Sequence, residues 1–279
     1  MISVITINYN DASGLEETIQ SVLSQENADY EFIVIDGGST DNSTAVIEKY
    51  KQQLHYWVSE PDGGVYNAMN KGIVKASKNY VYFLNSGDTL YDNSVLAEVQ
   101  VAMRMNHDIY YGNIIQDYPS GPIHRTTPRE LSFSFFFKRT IPHQASFIKR
   151  ELFEHFGLYN EELKIVADWE FFVLSICKHN VSYQYLDRTI SVYDTKGLSS
   201  MAANKALFSA EKQTSLKTHF PLFYNDYVTL TNYEGYFGLN RFQMLKNLEN
   251  SRIAQRMNTV WLNILSNFWS FNEKDKVQQ

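Results

Sequence analysis

The first half of the chain alternates short, unbroken apolar runs with stretches whose apolar residues recur every three or four positions. Ile2–Ile7, Phe32–Ile35, His55–Val58, Tyr80–Leu84 and Ile109–Ile115 are rich in Ile, Val, Tyr and Phe and predict strands. Between them the spacing predicts helices. Leu15, Ile19, Val22 and Leu23 share a face behind a Ser13–Glu16 capping box, and Val46, Ile47, Tyr50 and Leu54 share another. Val65, Ala68, Met69, Ile73 and Ala76, then Val95, Leu96, Val99 and Met103, give two more. Such alternation predicts an α/β fold with a mostly parallel central sheet and helices on both faces. Residues 116–140, with Pro119, Gly121, Pro122 and Pro128, read as a loop. Strands are expected again near Gln144–Ile148, Val181–Leu186 and Thr189–Tyr193, and helices near Arg150–Phe156 and Asp168–Lys178. Beyond Gly197 the chain reads as helical, so one α/β domain is expected over 1–200 and a helical extension over 201–279.

Composition narrows the class. Hydrophobic residues at 44% and charged residues at 20% fit a globular protein with a sizeable core, and the net charge of -6 argues against a nucleic-acid partner. A single cysteine, Cys177, excludes a disulfide framework and a Cys-based zinc site and fits a reducing compartment. No apolar run approaches the roughly 18 residues of a membrane span. Met1 leads straight into Ile2 and Ser3 without the charged region of a signal peptide, so a cytoplasmic location is expected. Aromatic residues are abundant at 15%, which suits sugars and bases but equally fills cores.

In an open α/β sheet, ligands bind beyond the carboxyl ends of the strands. Asn8-Tyr9-Asn10-Asp11 follows the first strand and Asp36-Gly37-Gly38-Ser39-Thr40-Asp41 the second. Ser59-Glu60-Pro61-Asp62-Gly63-Gly64 follows the third and Asn85-Ser86-Gly87-Asp88 the fourth. Any one cluster is ordinary turn and cap chemistry, and Asp11, Asp41 and Asp62 are read that way. Four at one rim point to a site. Neither a P-loop nor a G-x-G-x-x-G turn is present. Carboxylates facing a nucleotide diphosphate need a hard divalent cation between them, and Asp88 is the candidate ligand for Mn²⁺ or Mg²⁺. Asp36 is a candidate for the base or ribose.

Together with Ile5-Thr6-Ile7 and the run Val65-Tyr66-Asn67-Ala68-Met69-Asn70-Lys71-Gly72, these motifs resemble family 2 glycosyltransferases, and more closely the bacterial enzymes that assemble O-antigen, colanic acid and capsule repeats. The resemblance covers about residues 1–200. It implies a GT-A fold whose 1–115 half binds the donor and 116–200 half the acceptor. It also implies a nucleotide-sugar donor, most simply UDP-hexose or UDP-N-acetylhexosamine, a divalent metal, inversion at the anomeric carbon and a lipid-linked saccharide acceptor. On the donor side it implies Thr6, Asn8, Tyr9, Asn10, Asp36, Lys71, Ser86 and Gly87, with Asp88 on the metal. Asn85 and Gly87 stand where many relatives carry aspartates, so Asp88 is expected to be the sole carboxylate ligand.

Further along, Pro142-His143-Gln144 resembles the segment before the acceptor site, Val166-Ala167-Asp168-Trp169-Glu170 the region of the catalytic base, and Gly197-Leu198-Ser199 a loop near the substrates. Displacement at an anomeric carbon needs one carboxylate to take the acceptor proton while the metal stabilises the departing diphosphate. Asp168 is that base in this reading, with Glu170 as the substitute. Asp168 also reads as a helix N-cap, His143 as a structural histidine or a contact to acceptor or diphosphate, and Trp169 as a sugar-stacking or packing residue. An inactive assembly subunit is the competing function, against which Asp36, Asp88 and Asp168 stand.

Residues 241–279 carry six basic residues (Arg241, Lys246, Arg252, Arg256, Lys274 and Lys276) against three acidic ones (Glu249, Glu273 and Asp275), a net +3. Val260, Trp261, Ile264, Leu265, Phe268 and Trp269 share one helical face. That pattern fits packing on protein, including a second copy in a homo-oligomer, or peripheral contact with the inner membrane.

Overall fold

The computed structural model describes residues 1–195, 204–237 and 240–276. In chain order the first part holds β1 (Ile2–Asn8), α1 (Ala12–Leu23), β2 (Tyr30–Asp36), α2 (Ser43–Tyr50), β3 (Tyr56–Ser59), α3 (Val65–Lys75), β4 (Tyr80–Phe83), β5 (Thr89–Leu90) and α4 (Val95–Ala102). It continues with β6 (Ile109–Asp117), β7 (Ile123–Arg125), α5 (Phe133–Lys138), β8 (Ser146–Lys149), α6 (Glu151–Phe156), α7 (Ala167–Val173), β9 (Tyr183–Asp194) and α8 (Lys205–His219). Then come α9 (Pro221–Phe237), α10 (Asn240–Leu248) and α11 (Arg252–Lys276). Two compact units result, Met1–His219 and Phe220–Gln279, so α8 belongs with the α/β part.

The sheet runs β3-β2-β1-β4-β8-β6-β9-β5, with β7 paired to β6. β3, β2, β1 and β4 are parallel, as the alternation predicts. Every residue of β1 is buried, as expected of a strand covered on both faces. Ile2 and Val4 join Leu15, Ile19 and Val22 of α1 in one core. On the opposite face α3 lies so close that a Cβ at Gly72 would be 2.5 Å from Ile5 Cγ2. α1 starts earlier than Ser13: Asp11 is its cap, accepting the Gly14 N–H at 3.0 Å, and no Ser13–Glu16 box forms.

The second half of the sheet is mixed. β8 is antiparallel to both β4 and β6, whereas β6 and β9 are parallel. Within the stretch expected to be loop, Ile123–Arg125 forms β7 and Phe133–Lys138 forms α5, capped by the Ser132 hydroxyl. The two strands expected at 181–193 are one strand, β9, with register shifts where it passes Asn113. The polar pair Asp187-Arg188 reads as a turn but sits in that irregularity, with Arg188 on Asp92 at 2.7 Å and Asp187 on Arg129 at 2.7 Å.

Candidate active site

β1, β2, β3, β4, β6 and β9 all point their carboxyl ends at one rim. Because β8 runs the other way, the residues before it, His143 and Gln144, arrive at the same rim. Asn8 links three strand ends: its amide N–H donates to Asp36 Oδ1 at 2.6 Å, and its Oδ1 accepts from the Ser86 hydroxyl at 2.8 Å. Asp36 is fully buried and accepts from Asn8, from the Ser39 N–H and hydroxyl, and from the Ser59 hydroxyl at 2.6 Å. Burial works against its ionisation, but these four donors outweigh it and hold the pKa below the usual carboxylate value. Asp36 therefore organises the loop after β2. Thr6 is also fully buried and donates to the Leu84 carbonyl at 2.7 Å, which ties β1 to the turn after β4. Neither side chain offers surface to a ligand. Asn10, with φ of 53°, accepts the Thr40 N–H at 2.8 Å, and Tyr9 between these fixed residues is 68% exposed.

Asp88 is 3% exposed and accepts the Asp194 N–H at 3.0 Å. Burial pushes its pKa from 3.8 up to about 7, and the Asp194 carboxylate adds to the rise. Gly87, at φ of 90°, lets Asp194 close in: a Cβ there would sit 3.1 Å from Asp194 Oδ2. The end of β9 thus brings the Asp194 backbone onto Asp88, with the Asp194 carboxylate near enough to raise its pKa. Asp88, a hard oxygen donor disfavoured as a bare buried charge, suits a divalent cation completed by phosphate and water. No group of three His, Cys, Asp or Glu side chains converges on one point among the described residues.

A second cluster lies alongside. Asp168 Oδ2 is 3.1 Å from His143 Nδ1, and Oδ1 accepts the Tyr66 hydroxyl at 2.9 Å. His143 Nε2 lies 3.3 Å from Asn85 Nδ2, in the turn that carries Asp88. Burial again opposes ionisation of Asp168, but His143 and Tyr66 outweigh it and hold the carboxyl below its ordinary value. Burial and the Asp168 charge push the Tyr66 phenol well above its own, so it stays a donor.

The sequence profile of glycosyl transferase family 2 matches residues 3–163. The chain belongs to that family. It is a glycosyltransferase, 35% identical over 217 residues to an uncharacterized glycosyltransferase of Mycobacterium tuberculosis, covering 74% of this chain and 80% of the relative. A PGL/p-HBAD biosynthesis glycosyltransferase of Mycobacterium bovis is 30% identical over 207 residues, 71% of this chain and 78% of that one. The fold is shared with Staphylococcus aureus TarS 1-349 in complex with UDP-GlcNAc (TM-score 0.62, 18% identity, 77% of this chain and 66% of that one). It is shared too with a Pyrobaculum calidifontis mannosyltransferase in complex with GDP-Man and Mn²⁺ (TM-score 0.53, 14% identity, 93% and 87% covered).

Several residues of this glycosyltransferase stand apart from the rim chemistry. α7 starts at Ala167 with Val166 at its cap position, so Asp168 is not the N-cap; it sits in the first turn, takes the Trp169 N–H and suits the helix dipole. Trp169 is 1% exposed, donates from Nε1 to the Phe136 carbonyl at 2.9 Å and lies under the Lys212 ammonium, so it packs and does not stack on a sugar. Glu170 turns towards His219 at 3.5 Å and is no substitute base. Lys71 pairs with Glu60 at 2.7 Å and steadies the loop after β3. Gln144, by contrast, is tied to the rim: it is buried, its backbone carbonyl accepts from Tyr82 and Ser191, and its side chain hydrogen-bonds Asp88. Asp41 and Asp62 cap their turns as read, on Ser43 and Gly64. Gly197, with Leu198 and Ser199, lies outside the described residues. Asp194 as a site member was missed; Tyr66 lay in the 65–72 run and Asn85 in the rim cluster after β4, but neither was assigned a role.

Proposed function

We propose that this glycosyltransferase moves a hexosyl or N-acetylhexosaminyl group from a uridine diphosphate sugar to a hydroxyl of a lipid-linked saccharide, with inversion, during bacterial surface glycan assembly. The observation that carries the reading is the meeting of the Asp88–Asp194 pair and the Asp168–His143 pair at one rim. In the first pair Asp88 would hold Mn²⁺ or Mg²⁺, which supplies charge neutralisation for a departing diphosphate. The second takes the proton of the acceptor hydroxyl as it attacks the anomeric carbon from the face opposite the diphosphate. Tyr9 offers an exposed ring for the base, held between Asn8 and Asn10. The uridine preference is supported by the UDP-GlcNAc complex of the TarS neighbour, and the envelope setting by the PGL/p-HBAD biosynthesis named for the mycobacterial relative.

We place the acceptor at a membrane surface. Among the described residues no helix is long and apolar enough to cross a membrane, yet Ile253, Met257, Val260, Trp261, Ile264 and Leu265 of α11 are all more than half exposed beside Arg252 and Arg256. That face suits an interfacial helix on anionic lipid; the side chains of Phe268 and Trp269 lie outside the described residues. Nucleotide release from a panel of UDP-, GDP- and dTDP-sugars, with Mn²⁺ or with chelator and with a lipid-extract acceptor, tests the reading. UDP release that needs cation and acceptor is expected. No release from any donor would leave the inactive assembly subunit as the better reading.

A further inference from the structure

Resting on the transferase reading, we propose that the acceptor proton goes to Nε2 of His143, and that Asp168 is the positioning carboxylate behind it. Both oxygens of Asp168 already have donors, Tyr66 at 2.9 Å and the Nδ1 side of His143 at 3.1 Å. A carboxylate stabilised in this way is a weaker proton acceptor than a free one. The same contact orients the imidazole: an ionised carboxylate at Nδ1 keeps the ring proton there and leaves the Nε2 lone pair outward, and it stabilises the imidazolium once Nε2 is protonated.

Nε2 faces the turn after β4, where Asn85 Nδ2 lies 3.3 Å away, a long contact that an arriving hydroxyl displaces. Asn85 carries the second observation, because its Oδ1 is buried and has no hydrogen-bond partner. Turning the amide over sets that oxygen against Nε2. Asn85 then donates to the neutral ring and accepts from the protonated one, so both states of His143 are matched by one side chain.

The step balances. The acceptor O–H breaks and its proton passes to Nε2, while the oxygen forms the new bond to the anomeric carbon. The bond from that carbon to the diphosphate oxygen breaks, and its electron pair leaves with the nucleoside diphosphate. The imidazolium then gives its proton to water.

A double-variant cycle separates this from a base at Asp168 itself. His143→Gln keeps a polar side chain of similar reach but cannot hold the proton. It is expected to lower kcat by roughly 10²–10⁴-fold with UDP affinity, read by titration, unchanged. Asp168→Asn is expected to lower kcat as well, and the double variant to be no slower than His143→Gln, since a pair that acts as a unit is lost once. A further loss of about 10²-fold on adding Asp168→Asn to His143→Gln overturns the proposal and returns the proton to Asp168, as does near wild-type turnover in His143→Gln. If His143→Gln does not fold, Asn85→Ala decides. Removing the amide that matches both states of the ring should lower kcat by roughly tenfold or more at unchanged UDP affinity, and unaltered kcat overturns the proposal. A wild-type enzyme that turns over no nucleotide-sugar fails the transferase reading itself, and this inference with it.

Discussion

Asp88 separates a rim built around a cation from one that merely looks acidic. Burial sets its pKa at about 7 against an ordinary 3.8, helped by Asp194 and opposed by the nearby His143 and by hydrogen bonds from Asp194 and Gln144. The sign follows for a raised acid. Below about pH 4 the group is protonated whether the chain is folded or not, and it costs nothing. As pH rises towards 7 the unfolded chain ionises first, so stability falls, and above 7 the folded chain carries the bare charge. At about 1.4 kcal/mol per unit the loss is at most about 4 kcal/mol. Asp88→Asn keeps the acceptor for the Asp194 N–H and removes the ionisation. In chelator, urea unfolding of the wild type should weaken between pH 5 and pH 8 relative to Asp88→Asn, the gap widening by roughly 2–4 kcal/mol. Adding Mn²⁺ at pH 8 should restore the wild type and leave the variant unmoved, while metal-dependent UDP binding is lost in the variant. A gap that does not change with pH, or equal stabilisation of both proteins by Mn²⁺, refutes the reasoning.

Three further expectations are simpler to read. Gly72→Ala drives a methyl into Ile5 Cγ2 and should cost about 1–3 kcal/mol in urea unfolding; an unchanged midpoint would mean that α3 gives way freely. Asp11→Ala should cost about 1 kcal/mol and Ser13→Ala almost nothing, because Asp11 holds the cap hydrogen bond; the reverse order would restore Ser13 as the cap. Full-length enzyme should co-sediment with anionic vesicles and lose most of that on Trp261→Glu with Ile264→Glu; vesicle binding that survives the pair would remove α11 from the membrane.

The four parallel strands were legible as apolar runs, most plainly β1, β2 and β4, which are covered on both faces, and their rim clusters come directly after them in sequence. The other half of the sheet hid its logic. The residues after a strand reach the rim while strands are parallel, but β8 is antiparallel, so the residues that matter there come before it, at His143 and Gln144. β9 carries a polar pair inside one strand, and that pair imitated a turn.

The site itself is made of pairs that no local window contains. Asp194 meets Asp88 across 106 residues and Tyr66 meets Asp168 across 102. Tyr66, outside the apolar face read for its helix, is buried, and its hydroxyl alone reaches the site. One error, however, was open to correction from helical periodicity alone. On a helix each residue turns by about 100° from the last. A helix that offers Asp168 to the rim therefore carries Trp169 to its flank and Glu170 to its far side, where Phe136 and His219 meet them. Asp168, Trp169 and Glu170 could not all serve one acceptor. The residue that joins Asp168 had to come from another element, and the end of the loop before β8 is where the antiparallel turn of the sheet delivers it.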